Sequence, residues 1–299
     1  MKTNINTNTN TNTNINTSNK CVTNNNKIVV FDLDETLGYF SQFGIFWNTL
    51  KRYIHSKPLL SEKVKIDQTL FNKTLDLYPE YLRPNIINIL TYLKKQKMKN
   101  HCSQLMIYTN NQGPNEWASY LQEYFETKIG GYKLFNQLIR AFKVGNERVE
   151  ICRTSHNKSH EDLIRCTKIP ETTQICFLDD VFHPEMENPN VYYINVKPYI
   201  HDLPISEIIS RFIKNISNIN EHFINVDPIE KIQQTLRSYI SQYKYDVISL
   251  PKSVQNVDKI ISKRILDHLH TFFRKHPLNK TIKKTQQKAP HNKTNKKPK

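Results

Sequence analysis

Residues 27–37 read Lys27-Ile-Val-Val-Phe-Asp-Leu-Asp-Glu-Thr-Leu37. The first half is a short apolar run rich in β-branched residues, which fits a strand buried in a sheet. The second half crowds Asp32, Asp34 and Glu35 into the turn that follows. Two later segments repeat this design. Leu105-Met-Ile-Tyr108 runs into Thr109-Asn110-Asn111-Gln112-Gly113, and Ile175-Cys-Phe-Leu178 runs into Asp179-Asp180. Val191 to Val196 makes a fourth apolar run. Helical stretches are expected between them, at 42–57, 62–75, after Pro84 (Ile86, Ile87, Leu90, Leu93), from Pro114 to Phe125, and at 158–167. Strands alternating with helices predict an α/β fold of Rossmann-like type with a central parallel sheet. In open parallel sheets the ligand site lies off the C-terminal ends of the strands. Asp32, Asp34, Thr109, Asp179 and Asp180 all fall there.

Outward from this core the chain changes character. Residues 3–19 are almost entirely Asn and Thr, so residues 1–26 are expected to form a disordered leader. Residues 27–203 carry the α/β pattern. Residues 204–273 turn helical, with amphipathic stripes from Pro204 to Phe212, Ile229 to Tyr243 and Val254 to Phe273. These helices either pack on the sheet or stand apart as an appendage. From Arg274 to Lys299 there are basic residues and no acidic ones, which predicts a disordered basic tail.

The chain of 299 residues has 43 Lys and Arg against 27 Asp and Glu, a formal charge of +16. That surplus suits polyanionic partners such as nucleic acid, phosphorylated protein or an acidic membrane, and equally a solvated basic face with a basic tail. The five cysteines, Cys21, Cys102, Cys152, Cys166 and Cys176, form no CxxC pair. An odd, scattered set argues against a disulfide scaffold or a structural zinc site and points to a reducing compartment. The polar N-terminus lacks the apolar core of a secretory signal, and no apolar run is long enough to span a bilayer. An intracellular protein of cytoplasm or nucleus, without a membrane partner, is therefore expected.

The chemistry follows from the acidic strand ends. An acidic pair often merely caps a helix, but here it opens from an apolar strand and a second acidic strand end accompanies it. Asp32 can attack phosphorus to give an acyl phosphate, and Asp34 can protonate the leaving oxygen and later deprotonate the hydrolytic water. Carboxylates and a phosphate repel one another, so a divalent cation is required. Oxygen ligands of this kind suit Mg2+, with Asp32, Asp34 (through its backbone carbonyl) and Asp179 as ligands.

FDLDETL resembles the DxDxT signature of the haloacid-dehalogenase-like superfamily. In its DLDETL form it is similar to the branch that holds the RNA polymerase II C-terminal-domain phosphatases and the NLI-interacting-factor-like proteins. Leu82-Arg83-Pro84 resembles that branch's "RP", Tyr108-Thr109-Asn110 its second motif, and Phe177-Leu178-Asp179-Asp180 its acidic fourth motif. The resemblance implies that the Thr109 hydroxyl bonds a phosphate oxygen. It also implies that Lys158, favoured over Lys168 by its place in the motif order, neutralises the phosphate and orients the nucleophile. Two features depart from the branch: Asn110-Asn111-Gln112 replaces a Thr-Ala-Ser-like run, and Asp179-Asp180 replaces Asp-Asn. The stretch between Glu35 and Leu82 is also longer than expected, which points to a small cap or an accessory helical pair over the site. Its Phe40, Phe43, Phe46 and Trp47 serve as core or as substrate pocket.

The resemblance implies a phosphatase for phosphoserine or phosphothreonine in protein. A phosphatase for nucleic-acid ends or small esters, and an inactive phosphate-recognising module, are the competing readings. The Asn/Thr leader and the A+T-like residue bias also resemble proteins of large DNA viruses. Under that reading the protein would act in the infected-cell cytoplasm or be packaged in the particle.

Overall fold

The computed structural model describes residues 26–274. The expected leader and basic tail lie outside the described residues, apart from the boundary residues Asn26 and Arg274. The strands, in chain order, are β1 (Lys27–Phe31), β2 (Gln104–Tyr108), β3 (Gln137–Ile139), the two arms β4 (Lys143–Val144) and β5 (Glu147–Arg148) of a small hairpin, β6 (Gln174–Asp179) and β7 (Val191–Asn195). Five of them form one sheet in the order β3-β2-β1-β6-β7, with every pairing parallel. Phe31 lies level with Ile107 of β2 and Leu178 of β6, so three strand ends come out flush. From β1 the chain builds outward through β2 and β3, then crosses back to add β6 and β7 on the other side. That reversal opens a crevice off the ends of β1 and β6, where such sheets place their ligands.

Alternation along β1 assigns each sheet face its cover. Ile28 and Val30 join Met106, Tyr108, Ile175 and Phe177 on one side, packed against Leu163, Ile169 and Met186. Val29 and Phe31 join Leu105, Ile107, Cys176 and Leu178 on the other, under a much larger helical layer. That layer contains α1 (Ser41–His55), α2 (Pro58–Lys63), α3 (Gln68–Leu75), α4 (Ile86–Met98) and α5 (Trp117–Lys128). The opposite face has α6 (His160–Thr167).

The long stretch after Glu35 is a structural layer. α1 buries Phe43, Phe46, Trp47, Leu50, Tyr53 and Ile54 at helical spacing, so its apolar stripe faces inward. Phe43 sits among Phe71, Trp117 and Tyr81 at centroid distances of 5.4, 6.0 and 6.1 Å. Burying each such ring contributes roughly 2–3 kcal/mol. Phe43, Phe46 and Trp47 are therefore core residues, while Phe40 and Trp117 reach the floor of a small cleft beside Asp34.

The helical end of the chain comprises α7 (Ile205–Ile219), α8 (Ile229–Ser241) and α9 (Lys252–Arg274). These join the same core: Phe212 of α7 meets Phe46 at 5.5 Å, and Tyr78 donates a 2.8 Å bond to the Ile208 carbonyl. The Lys27 ammonium donates to the Phe272 carbonyl of α9 at 2.9 Å. Among the described residues no helix is long and apolar enough to cross a membrane.

Cysteine usage differs from the sequence-based expectation. Cys152 and Cys166 form a disulfide, fourteen residues apart in sequence. The pairing is made by a loop folding back onto the last turn of α6, which no local spacing rule could register. Cys102 and Cys176 are buried free thiols.

Candidate active site

The turn after β1 is tightly specified. Leu37 N–H bonds the Leu33 carbonyl at 2.9 Å, closing one helical turn, and Glu35 N–H bonds the Gly38 carbonyl at 2.7 Å. Glu35 takes a left-handed conformation, φ 59°. At Gly38 an added Cβ would stand 2.5 Å from the Tyr81 carbonyl oxygen, so only glycine fits. Arg83, fully buried, ties this turn down through Nε to the Thr36 carbonyl (2.6 Å) and Nη2 to the carbonyls of Glu35 (2.5 Å) and Lys197 (2.9 Å). The Arg-Pro pair noted in the sequence thus acts on the acidic turn from a distance.

Five carboxyl side chains, Asp32, Asp34, Glu35, Asp179 and Asp180, line an open cleft of about 300 Å³ together with Thr109, Asn111 and Lys158. The Lys158 ammonium is the cation among them. It pairs with Asp32 and, at 2.6 Å, with Asp179, and is almost wholly buried. Ser159 caps α6 by accepting from Asp162 N–H at 3.1 Å, which places Lys158 directly before the helix start. Lys168 is exposed at the far end of α6 in a left-handed conformation and takes no part. Thr109 is buried at the end of β2 and accepts from Asn111 N–H at 3.0 Å.

The predicted residues Asp32, Asp34, Thr109, Lys158 and Asp179 thus line one cleft. The structure places Asp180 beside them: oxygens of Asp32, Asp179 and Asp180 lie within 4.8 Å of one another, close enough to share a metal ion. Thr36 links Asp180 to the first turn, its hydroxyl donating to the Asp180 carboxylate at 3.0 Å. Asp34 instead receives a 2.7 Å bond from the Asn111 side-chain amide. Asn111 and Asp180 were the residues that departed from the resembled pattern, so their sequence signal was the departure itself.

Burial drives the electrostatics. It pushes the Asp32 carboxyl up to about 8, with the charges of Asp179 and Asp34 adding and Lys158 opposing. Burial likewise raises Asp34, against the Asn111 bond, and raises Asp180, against the Thr36 bond. For Asp179 burial also works against ionisation, but the bonds from His183 and Lys158 win and hold it low. This surplus of carboxylate oxygens over one ammonium can coordinate a hard divalent cation such as Mg2+.

A linkage prediction follows. Asp32 titrates higher in the fold than in the unfolded chain, near 3.9. Its contribution to stability is thus full below about pH 4 and is lost as pH rises through about 8. A cation binding the ionised form displaces the proton. Apparent Mg2+ affinity should therefore tighten up to about tenfold per unit between pH 6 and 8. Thermal unfolding with and without Mg2+ reads this directly. An equal Mg2+ shift at pH 6 and pH 8.5 would count against the site.

The chain matches no family model and no curated protein. Its parallel-sheet α/β scaffold, with Asp32, Asp179 and Asp180 clustered at the strand ends, is consistent with a haloacid-dehalogenase-like hydrolase fold.

Proposed function

We propose that the protein is a Mg2+-dependent phosphoric monoester hydrolase working through an aspartyl phosphate on Asp32, and that its substrates are phosphoserine or phosphothreonine in protein. The observation that carries this reading is the Lys158 ammonium held between Asp32 and Asp179 beside Thr109. A buried lysine fixed on the nucleophile aims its free oxygen and offsets the incoming phosphate charge. The Thr109 hydroxyl donates to a phosphate oxygen. Asp34, whose pKa burial raises, holds a proton for the leaving oxygen and then takes one from the hydrolytic water. Mg2+ bound by Asp32, Asp179 and Asp180, with the Asp34 carbonyl, would supply the charge compensation that two anionic partners need.

The resemblance of DLDETL to the polymerase-tail phosphatase branch supports a protein substrate. So does the cleft, none of whose lining residues comes from 36–82. A roof over the site would suit a small ester, whereas among the described residues this cleft stays open off the strand ends and admits a side chain on a polymer. The basic tail is proposed as a handle for acidic partners.

The test is one panel with and without Mg2+: phosphoserine and phosphothreonine peptides, 5′- and 3′-phosphorylated oligonucleotides, and p-nitrophenyl phosphate. Preferential turnover of the peptides is expected. Preference for the oligonucleotides would replace the protein-substrate reading, and absence of turnover on every ester would overturn the phosphatase.

A further inference from the structure

Lys158 does its work from a loop. Residues 149–158 have no helix or sheet ladder to hold the ammonium between two carboxylates that belong to β1 and β6. Two anchors fasten this loop to α6. Thr154 donates from backbone and hydroxyl to Asp162 (2.8 and 3.0 Å), and Cys152 is bonded to Cys166. Both tie the loop to the helix that follows it, so they do not by themselves fix it against the sheet.

Arg140 N–H makes one such link by donating to the Glu150 carboxylate at 3.2 Å, and Arg153 makes the more extensive one. Its side chain is fully buried. Nη1 donates to the Thr109 carbonyl (3.1 Å), at the end of β2, and to the Arg140 carbonyl (2.9 Å), just beyond β3. Nη2 donates to the carbonyls of His156 (3.0 Å) and Asn157 (3.2 Å), the two residues before Lys158. The guanidinium also lies over the Tyr108 ring, 4.8 Å from its centroid, and the Lys158 ammonium stands 5.8 Å from the same centroid. Tyr108 itself is the residue before Thr109. One planar group thus spans the Thr109 backbone and the chain leading into Lys158.

We propose that Arg153 is a positioning residue of the phosphoryl-transfer site, setting the distance between the phosphate-binding Thr109 and the charge-balancing Lys158. The proposal rests on the phosphatase reading for its kinetic consequence and on geometry alone for its structural one. Arginine is required because two separate nitrogens must serve two separate pairs of carbonyls. A lysine ammonium is a single point of donation and cannot bridge them. A misplacement of about 1 Å in such a site costs on the order of 100-fold in rate.

The experiment uses the full chain with Arg153→Lys and Arg153→Gln. Lys158 reactivity toward an amine-acylating reagent is read by peptide mass spectrometry, with Lys57 and Lys94 as reference lysines held elsewhere. Turnover is followed on the ester the wild-type enzyme prefers. In both variants Lys158 should acylate at least about tenfold faster while the reference lysines keep their rates, a local opening rather than a global one. kcat should fall on the order of 100-fold with KM changed by less than about threefold, as befits loss of alignment rather than of binding. Should Arg153→Gln fail to fold, Arg153→Lys decides. Wild-type Lys158 protection and turnover in a folded Arg153→Lys would overturn the proposal. So would acylation that accelerates equally at Lys57 and Lys94. If the wild-type protein releases phosphate from no ester, the phosphatase reading fails by itself, and the acylation rates still decide the role of Arg153.

Discussion

Asp32→Asn is expected to abolish Mg2+-dependent phosphate release, by a factor on the order of 10^4 or more, while the protein stays folded. An amide has nearly the same shape as the carboxylate but cannot attack phosphorus, and losing a covalent nucleophile acts on this scale in other enzymes. The fold should tolerate the change, because the wild-type carboxyl is already costly there: burial and the charges of Asp179 and Asp34 push it up to about 8. An Asn in its place removes that cost. In the absence of metal, the variant should unfold at the same temperature as wild type or slightly higher at pH 8. Its Mg2+-induced thermal shift should shrink, since one of three clustered carboxylates becomes a neutral amide whose oxygen is a weaker donor. Phosphate release together with thermal unfolding separates the outcomes. Turnover above about one percent in the purified variant would remove Asp32 from the role of nucleophile.

Lys158→Gln should damage both activity and stability. The ammonium is paired with Asp32 and Asp179 where almost no water reaches. Removing one partner of a buried ion pair leaves charge uncompensated and costs about 3–5 kcal/mol. Without Lys158 the carboxyls of Asp32 and Asp179 must both titrate higher. The deficit should accordingly be smaller at pH 5, where they protonate, than at pH 8. Adding Asp32→Asn to Lys158→Gln should restore part of the loss, a coupling that independent sites would not give. Denaturant unfolding at two pH values measures all three. A Lys158→Gln protein as stable as wild type at pH 8 would show that the ammonium does not balance this pair.

The strands that carry the site were legible because each announces itself twice, by a β-branched or apolar run and by the polar residues at its end. β1, β2 and β6 are of this kind. β3 is Gln137-Leu-Ile139, too short to show alternation, and its place beside β2 comes from long-range pairing. The hairpin β4–β5 is shorter still and half exposed. Lys158 could be told from Lys168 because motif order constrains it. Arg83 and Arg153 could not be assigned their bridging work, since their partners are carbonyl oxygens that every residue possesses. Asp180 and Asn111 were visible only as departures, and it took the turn after β1 to bring Thr36 and Asp34 against them. The aromatic residues from Phe40 to Trp47 read more readily as interior than as pocket. Packing decided it, with Phe43 enclosed and Phe40 reaching a cleft.

The sharing of one interior by α1–α3 and α7–α8 has a consequence for how this protein can be cut or shortened. Phe46 is closed over by Phe212, and Tyr53 reaches Asp227 through its hydroxyl at 3.1 Å. A fragment ending at residue 203 would strip Ile208, Ile209 and Phe212 from this face and bare a sticky apolar surface. The α/β part that carries the acidic cleft therefore cannot be trimmed to a minimal fragment without redesigning α1.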